Sequence, residues 1–124
     1  MLLDTCILVD VVRGRDAAQT FLRDLAAPPA ISVLTVTELL FGAMGARETA
    51  TLEALFAVSD VLPVDDEIAR LGATYLKRFK ASHGTDVVDA LIAATATRHD
   101  RTLATLNLKH FPMFPNLGRP YAKG

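Results

Sequence analysis

The chain has 124 residues, of which 51% are hydrophobic, and a formal net charge of −1 at pH 7. This length suits one domain with a hydrophobic core, so we expect a single domain over residues 1–124. No apolar run approaches the roughly 18 residues of a membrane-spanning helix and the start lacks a basic leader, which indicates a cytoplasmic protein without membrane contact. The single cysteine, Cys6, excludes an internal disulfide, and a charge near zero neither predicts nor excludes nucleic-acid binding.

The first half of the chain alternates short apolar runs with helical patterns. Its periodicity predicts strands at residues 2–3 and 30–33 and helices at 16–26 and 48–57, with a further helix starting at Thr35. The segment 6–12 is apolar throughout, so periodicity alone does not separate strand from helix there.

The second half repeats the alternation. A third strand ends near Pro63, and Asp65 is the predicted cap of an amphipathic helix over residues 66–79. After a loop at 82–85 we expect a mostly buried helix at 87–97, a strand at 102–105, a helical turn at 108–111 and a last strand near Leu117. The pattern predicts a three-layer α/β/α sandwich around a mostly parallel sheet of four to five short strands.

Three acidic side chains stand beside apolar segments. Asp4 follows the first strand, Glu38 precedes the apolar run 39–41, and Asp89 interrupts the apolar helix at 87–97. Burying a carboxylate is costly unless a cation or hydrogen-bond donors compensate its charge. Mg2+ and Mn2+ prefer oxygen ligands, so we expect the three carboxylates to be drawn inward and to converge on such an ion.

Four segments in chain order resemble the motifs of PIN-domain nucleases, and specifically of VapC-type toxins, across essentially the whole chain. They are residues 1–5, 31–42, 89–96 and 103–111. The resemblance implies a Mg2+- or Mn2+-dependent endoribonuclease toxin that hydrolyses phosphodiester bonds in tRNA or another structured RNA. It implies catalytic roles for Asp4, Glu38, Asp89 and Asn107, with the metal on the three acids. A VapB-type antitoxin would dock over the active-site groove, and the toxin would be a homodimer or a hetero-oligomer with its antitoxin.

The last of these motifs departs from the commonest family pattern, because Asn107 stands where many members have aspartate. An amide brings no negative charge, so one firmly held metal is expected. Asp86 is expected to cap the helix at 87–97, and its alternative role is to replace the missing acid. Thr5 and Thr105 are expected to hydrogen-bond the carboxylates or a water on the metal, unless they only cap strand ends.

Cations and imidazoles near the motifs suggest further contacts. Arg13, Arg15 and Lys109, with Arg47 as a further candidate, lie near motif ends and are candidates for RNA phosphate contacts, although solvated surface charge is the favoured role for each. Of the three histidines, only His110 lies in a motif, so it alone is expected near the site.

Two other functions stay open. A receiver-type signalling domain would need an acidic pair after the first strand, whereas Asp4 stands alone there. An inactive PIN-like protein-binding module is the second alternative, in which Asn107 signals a lost metal site. Retention of three acids favours the enzyme over this module.

Overall fold

The computed structural model describes residues 1–122, in which helices alternate with four short strands. Residues 123 and 124, the end of the predicted domain, lie outside the described residues. The strands are β1 (Leu2–Leu3), β2 (Ala30–Ser32), β3 (Asp60–Leu62) and β4 (Leu103–Ala104). The helices are α1 (Thr5–Val12), α2 (Asp16–Arg23), α3 (Val33–Gly42), α4 (Gly45–Ala57), α5 (Asp66–His83) and α6 (Val87–Arg98), followed by a short 3-10 helix (Leu108–His110). Over this described range, no helix combines the length and apolar character needed to cross a bilayer.

The four strands form one all-parallel sheet in the order β3-β2-β1-β4. In β1, Leu2 pairs with Leu103 and Leu3 with Ala104, so β1 and β4 end side by side. The next backbone N–H, of Asp4, donates to the Ala104 carbonyl at 2.9 Å. The carboxyl ends of the central strands therefore open at the same edge, where parallel sheets place their functional groups.

Helices cover both faces of the sheet, because successive residues of a strand point to opposite sides. Leu2 packs in a cluster with residues of α6, whereas Leu3 packs in a second cluster with residues of α1, α3 and α4. The first cluster also contains Ala30, Leu62 and Phe111, and the second contains Ile7, Ile31 and Leu52. The predicted three-layer sandwich with a parallel sheet is thus confirmed.

Side-chain caps explain where several helices begin. Asp65 accepts from the N–H of Ile68 at 2.8 Å, and Asp86 accepts from that of Asp89 at 2.8 Å, which confirms both predicted caps. The predicted start at Thr35 is wrong, since Ser32 accepts from the N–H of Leu34 at 3.1 Å and starts α3 earlier. Thr35 lies inside the helix and is fully buried.

Other boundaries also differ from the sequence prediction. The ambiguous segment after Asp4 is helical, because the Asp4 side chain caps it. Helix α2 ends at Arg23, three residues before the predicted Ala26, and α5 continues through His83 until Gly84 adopts a left-handed φ of 70°. The strand expected near Leu117 is not present in residues 1–122; Leu117 instead donates its N–H to the Phe114 carbonyl at 3.3 Å in a turn.

Candidate active site

Asp4 lies where β1 gives way to α1 and is only 5% exposed. Its carboxylate accepts from the N–H of Thr5 at 2.9 Å and from the hydroxyl of Thr105 at 2.7 Å, with the Cys6 thiol at 3.5 Å. Burial raises the pKa of Asp4 against the opposing effect of these hydrogen bonds, and the negative charge of Asp86 raises it further. These donors are all neutral, so they leave the charge of Asp4 uncompensated.

Asp89 lies in the first turn of α6 and is 9% exposed. It forms a reciprocal cap with Asp86, because its carboxylate accepts from the Asp86 N–H at 3.1 Å. Burial raises the pKa of Asp89 to about 6, the charges of Asp86 and Asp4 add to the increase, and the nearby His110 opposes it. The His110 Nδ1 atom lies 3.3 Å from the carboxylate. Asp4, Asp86 and Asp89 thus form one cluster of mutually repelling carboxylates.

Glu38 differs from the two buried aspartates, because α3 leaves it exposed. The expectation that its apolar neighbours would draw Glu38 inward is wrong. Leu39 takes the buried position on this turn of α3, and the Glu38 side chain is exposed to solvent. Glu38 is nevertheless tied to the site, since its Oε1 accepts from the Thr5 hydroxyl at 2.6 Å. That hydroxyl also lies 3.1 Å from the hydroxyl of Thr35.

In the described residues, Asp4, Glu38 and Asp89 do not form a complete set of metal ligands. Within residues 1–122, no three acidic, histidine or cysteine side chains are grouped so as to hold a metal ion by themselves. The structure brings Asp4 and Asp89 into electrostatic contact and connects Glu38 to the helix of Asp4 through Thr5. The predicted convergence of all three carboxylates on one point is therefore not present in the described residues.

Thr105 and Asn107 follow β4 beside Asp4. Thr105 is fully buried, donates its hydroxyl to Asp4 and accepts from the backbone N–H of Asn107 at 3.0 Å. The Asn107 side chain is exposed, so its link to the cluster runs through the backbone. Both threonines next to the acids make the carboxylate hydrogen bonds that the sequence predicted.

The candidate RNA-binding cations occupy different surroundings. Arg15 forms an ion pair with Asp10 at 3.3 Å. Arg13 is exposed and lines a cavity together with Glu38. Lys109 is exposed on the 3-10 helix, and Arg47 is exposed on α4. Arg13 is thus the predicted cation that the structure brings beside a candidate catalytic acid.

Sequence reasoning missed two polar side chains near the acids. Thr35 was interpreted only as a helix start, although it lies one turn before Glu38 on α3, a spacing that puts two side chains on the same face. Thr85 is fully buried and donates its hydroxyl to the backbone carbonyl of His110 at 2.8 Å, which anchors the segment that carries the imidazole beside Asp89. The expected proximity of His110 to the site is confirmed.

The donor set suits a hard divalent cation. Two buried carboxylates with raised pKa values lie close enough to repel each other, and a cation between them would relieve that repulsion. Mg2+ is commonly held by one or two carboxylates and keeps several waters, so a third protein ligand is not required.

Comparisons with known proteins bear on this site. A family model described as the PIN domain matches residues 1–112. Ribonuclease VapC19 of Mycobacterium tuberculosis is 45% identical over 97% of this chain and 98% of its own length. Ribonuclease VapC10 of the same organism is 39% identical over 98% of this chain and 93% of its own length. A chain in a toxin-antitoxin complex from Klebsiella pneumoniae superposes with a TM-score of 0.83 at 32% identity, covering 97% of both chains.

Proposed function

Because this chain belongs to the PIN-domain family, we propose that it is a VapC-type toxin: a metal-dependent endoribonuclease that cuts tRNA or another structured RNA. The observation that carries the proposal is the buried pair Asp4 and Asp89 at the carboxyl end of β1: both carboxyl groups have raised pKa values, and Asp4 accepts hydrogen bonds from neutral groups alone in the described residues. The relatives named ribonucleases, similar over nearly the whole chain, support RNA as the substrate class. The unit proposed to act is one domain over residues 1–124.

Asp4 and Asp89 would hold Mg2+ or Mn2+, with Glu38 as the third, more exposed acid. When bound, such an ion neutralises charge developing on the phosphate and makes water a stronger nucleophile. Thr105 fixes the orientation of the Asp4 carboxylate through its hydrogen bond, and Thr5 does the same for Glu38.

The remaining polar residues take supporting roles. Glu38 has one oxygen hydrogen-bonded by Thr5, and its other oxygen would orient the attacking water and accept its proton. Asp86 acts as the cap of α6 and adds negative potential to the cation site. The exposed Asn107 amide and the cations Arg13 and Lys109 would contact the RNA, whereas Arg15 is engaged by Asp10.

A VapB-type antitoxin is the proposed partner, since the superposed Klebsiella chain comes from a toxin-antitoxin complex. Exposed apolar side chains at the end of α3 and just beyond it offer surface for assembly, because Phe41 is 92% and Met44 is 81% exposed. The proposed assembly is a homodimer or a hetero-oligomer with the antitoxin.

One observation favours the alternative of a PIN-like binding module without catalysis: no group of three metal-binding side chains is present in the described part of the chain. The receiver alternative is set aside, because the matching family model is the PIN domain. Metal-dependent cleavage of RNA separates the enzyme from the module.

The test is cleavage of labelled tRNA and ribosomal RNA by the purified chain in Mg2+, in Mn2+ and in EDTA. Asp4→Asn and Asp89→Asn each keep an acceptor oxygen for their capping bonds, and Asp24→Asn is a matched control at an exposed aspartate. We expect cutting that needs metal, disappears in the first two variants and persists in the control. Cutting in EDTA, or undiminished cutting by both site variants, would refute the proposal.

A further inference from the structure

Thr35 lies in the first turn of α3 and is fully buried, yet its hydroxyl does not follow the usual pattern of helical threonines. In the described residues, five other threonines in helices donate to the backbone carbonyl four residues earlier: Thr49, Thr51, Thr74, Thr95 and Thr97. The Thr35 hydroxyl instead lies 3.1 Å from the Thr5 hydroxyl, which belongs to the neighbouring helix α1. This buried hydroxyl is thus directed out of its own helix.

The available protons fix the direction of the hydrogen bond between the two threonines. The Thr5 hydroxyl has one proton and donates it to Oε1 of Glu38 at 2.6 Å, because an ionised carboxylate can only accept. The Thr5 oxygen can then take part in the bond to Thr35 only as an acceptor, so Thr35 is the donor. A hydroxyl chain therefore runs from Thr35 through Thr5 to the Glu38 carboxylate.

Thr5 also contacts a second acid of the site, because its backbone N–H donates to the Asp4 carboxylate at 2.9 Å. Its main chain thus binds Asp4, while its side chain binds Glu38. A rotation about the Cα–Cβ bond of Thr5 would break the contact with Glu38 and leave the contact with Asp4 intact. The rotamer of Thr5 therefore decides whether Glu38 stays connected to the helix of Asp4.

We propose that Thr35 is a positioning residue for RNA cleavage: it holds the Thr5 hydroxyl in the rotamer that fixes Glu38. The inference rests on the proposed function, in which Glu38 orients the attacking water. Because Thr35 is fully buried, it acts through Thr5 and touches neither RNA nor metal. The hydrogen bond that Thr5 accepts from Thr35 also polarises the Thr5 hydroxyl and makes it a stronger donor to the carboxylate.

Glu38 needs such a restraint because its side chain is exposed. An exposed glutamate has several accessible rotamers, and only some of them keep a carboxylate oxygen on the Thr5 hydroxyl. Over residues 1–122, no Lys, Arg or His forms an ion pair with Glu38, so the Thr5 hydroxyl is the polar side chain that holds it. Loss of the Thr35 hydroxyl should therefore lower kcat and leave KM unchanged, since it displaces the acid that orients water without removing a contact to RNA.

Two comparisons isolate the Thr35 hydroxyl from the rest of the side chain. Thr35→Val keeps the branched shape of the wild-type residue and removes the hydroxyl, and Thr35→Ala differs from Thr35→Ser by the hydroxyl alone. Thr95→Val is the matched control, because Thr95 is also fully buried in a helix but donates to the Leu91 carbonyl of its own helix. If Thr35→Val does not fold, the comparison of alanine with serine still tests the hydroxyl.

The first experiment needs no RNA. Three-bond couplings between the Thr5 methyl carbon and its backbone nitrogen and carbonyl carbon, measured by NMR, report the χ1 rotamer of Thr5. We expect a single rotamer in wild type, Thr35→Ser and Thr95→Val, and averaging between rotamers in Thr35→Val and Thr35→Ala, because threonine in a helix has two accessible rotamers. An unchanged single rotamer in Thr35→Val and Thr35→Ala would overturn the proposal.

The second experiment measures kcat and KM on an RNA that wild type cleaves. We expect kcat to fall about tenfold in Thr35→Val and Thr35→Ala, the lower end of the effects of residues that orient groups at a metal site, with KM unchanged. Thr35→Ser and Thr95→Val should keep the wild-type kcat. An equal fall in Thr35→Ser and Thr35→Ala, or a fall in Thr95→Val as large as in Thr35→Val, would overturn the proposal.

A double variant tests the order of the hydroxyl chain. Thr5→Val removes the link to Glu38, so adding Thr35→Val to it should cause no further fall in kcat. Losses that multiply in the double variant would show that Thr35 acts independently of Thr5 and would contradict the proposal. If wild type cleaves no RNA in the presence of metal, the proposed function fails, and the Thr5 couplings still decide whether Thr35 fixes the Thr5 rotamer.

Discussion

Asp4 and Asp10 are almost equally buried, at 5% and 6% exposed, and lie close together in the chain, yet their surroundings differ. Asp10 faces the Arg15 guanidinium at 3.3 Å and accepts from the Tyr121 hydroxyl at 2.8 Å. The hydrogen-bond donors of Asp4 are the neutral groups of Thr5, Cys6 and Thr105. Within residues 1–122, no Lys, Arg or His forms an ion pair with Asp4.

The difference shows which buried carboxylate the fold itself uses. Asp10 joins the turn before α2 to the chain end at Tyr121, which packs on Phe21 with ring centroids 6.0 Å apart. Burial, followed by the hydrogen bond to Asp10, raises the pKa of Tyr121, so that the phenol stays a donor. Asp4 caps α1 and accepts from Thr105, but it has no cationic partner in the described residues, and its uncompensated charge is explained if a metal ion completes the site.

The largest expected effect is on RNA cleavage. Asp4→Asn removes the charge that would hold the ion, and we expect the rate in Mg2+ to fall at least about 1,000-fold, because the ion supplies several kcal/mol of transition-state stabilisation. Asp10→Asn should stay within about tenfold of wild type, since Asp10 has partners of its own. RNA cleavage rates of the two variants, measured below the melting temperature of both, check this prediction. A similar fall in rate in both variants would contradict the proposed difference between Asp4 and Asp10.

Metal should stabilise the protein only when Asp4 is intact. At a metal concentration of about 100 times Kd, binding to the native state alone adds about 2.7 kcal/mol to the free energy of unfolding. We expect this increase in wild type and Asp10→Asn and its absence in Asp4→Asn, measured by urea unfolding with Mn2+ and with EDTA. An increase of the same size in Asp4→Asn would place the ion elsewhere.

Without metal, a substitution at Asp10 should cost more stability than a substitution at Asp4. Asp10→Ala removes the partner of Arg15 and Tyr121 and should lower the free energy of unfolding by about 2 kcal/mol, a value discounted for the partial exposure of Arg15. Asp4→Asn removes a buried charge that lacks a cation, so it should leave stability unchanged or raise it by up to about 1 kcal/mol. Urea unfolding in EDTA compares the two, and a larger loss in Asp4→Asn would contradict the account.

The smallest expected effect concerns pH and Asp89. Its pKa rises from 3.8 to about 6 on folding, so the folded state binds the proton more tightly than the unfolded state. In EDTA this group favours folding fully below pH 3.8 and loses that contribution as the pH rises through about 6. Compared with Asp89→Asn, wild type should lose on the order of 1–2 kcal/mol of stability across this range. Parallel pH profiles for the two proteins would argue against the raised pKa.

Local sequence patterns predicted most of the fold. Alternating apolar runs and helical periodicity predicted the layers, and polar residues before apolar periods predicted the caps at Asp65 and Asp86. The segment 6–12 stayed ambiguous because its apolar composition suits a buried strand or a buried helix, and the Asp4 cap determines that it is helical. The predicted strand near Leu117 is wrong, because the local sequence there did not distinguish a turn from a short apolar strand.

The candidate site was predictable in its residue types but not in its connections. Asp4 and Asp89 stood out because a carboxylate in an apolar segment demands compensation. The exposure of Glu38 was missed, since neighbouring apolar residues do not fix which way a helical side chain faces. Arg15 was assigned to RNA because its pairing with Asp10, and the contact of Asp10 with the distant Tyr121, depend on tertiary packing that local patterns do not encode.

The most direct test of the central claim is a Mn2+ titration followed by electron paramagnetic resonance, in which bound Mn2+ loses the sharp signal of the free ion. Wild type and Asp10→Asn should remove free Mn2+ with the same stoichiometry and affinity, whereas Asp4→Asn should leave the free signal unchanged. Equal Mn2+ binding by Asp4→Asn and wild type would contradict the claim that the uncompensated charge of Asp4 holds the catalytic ion.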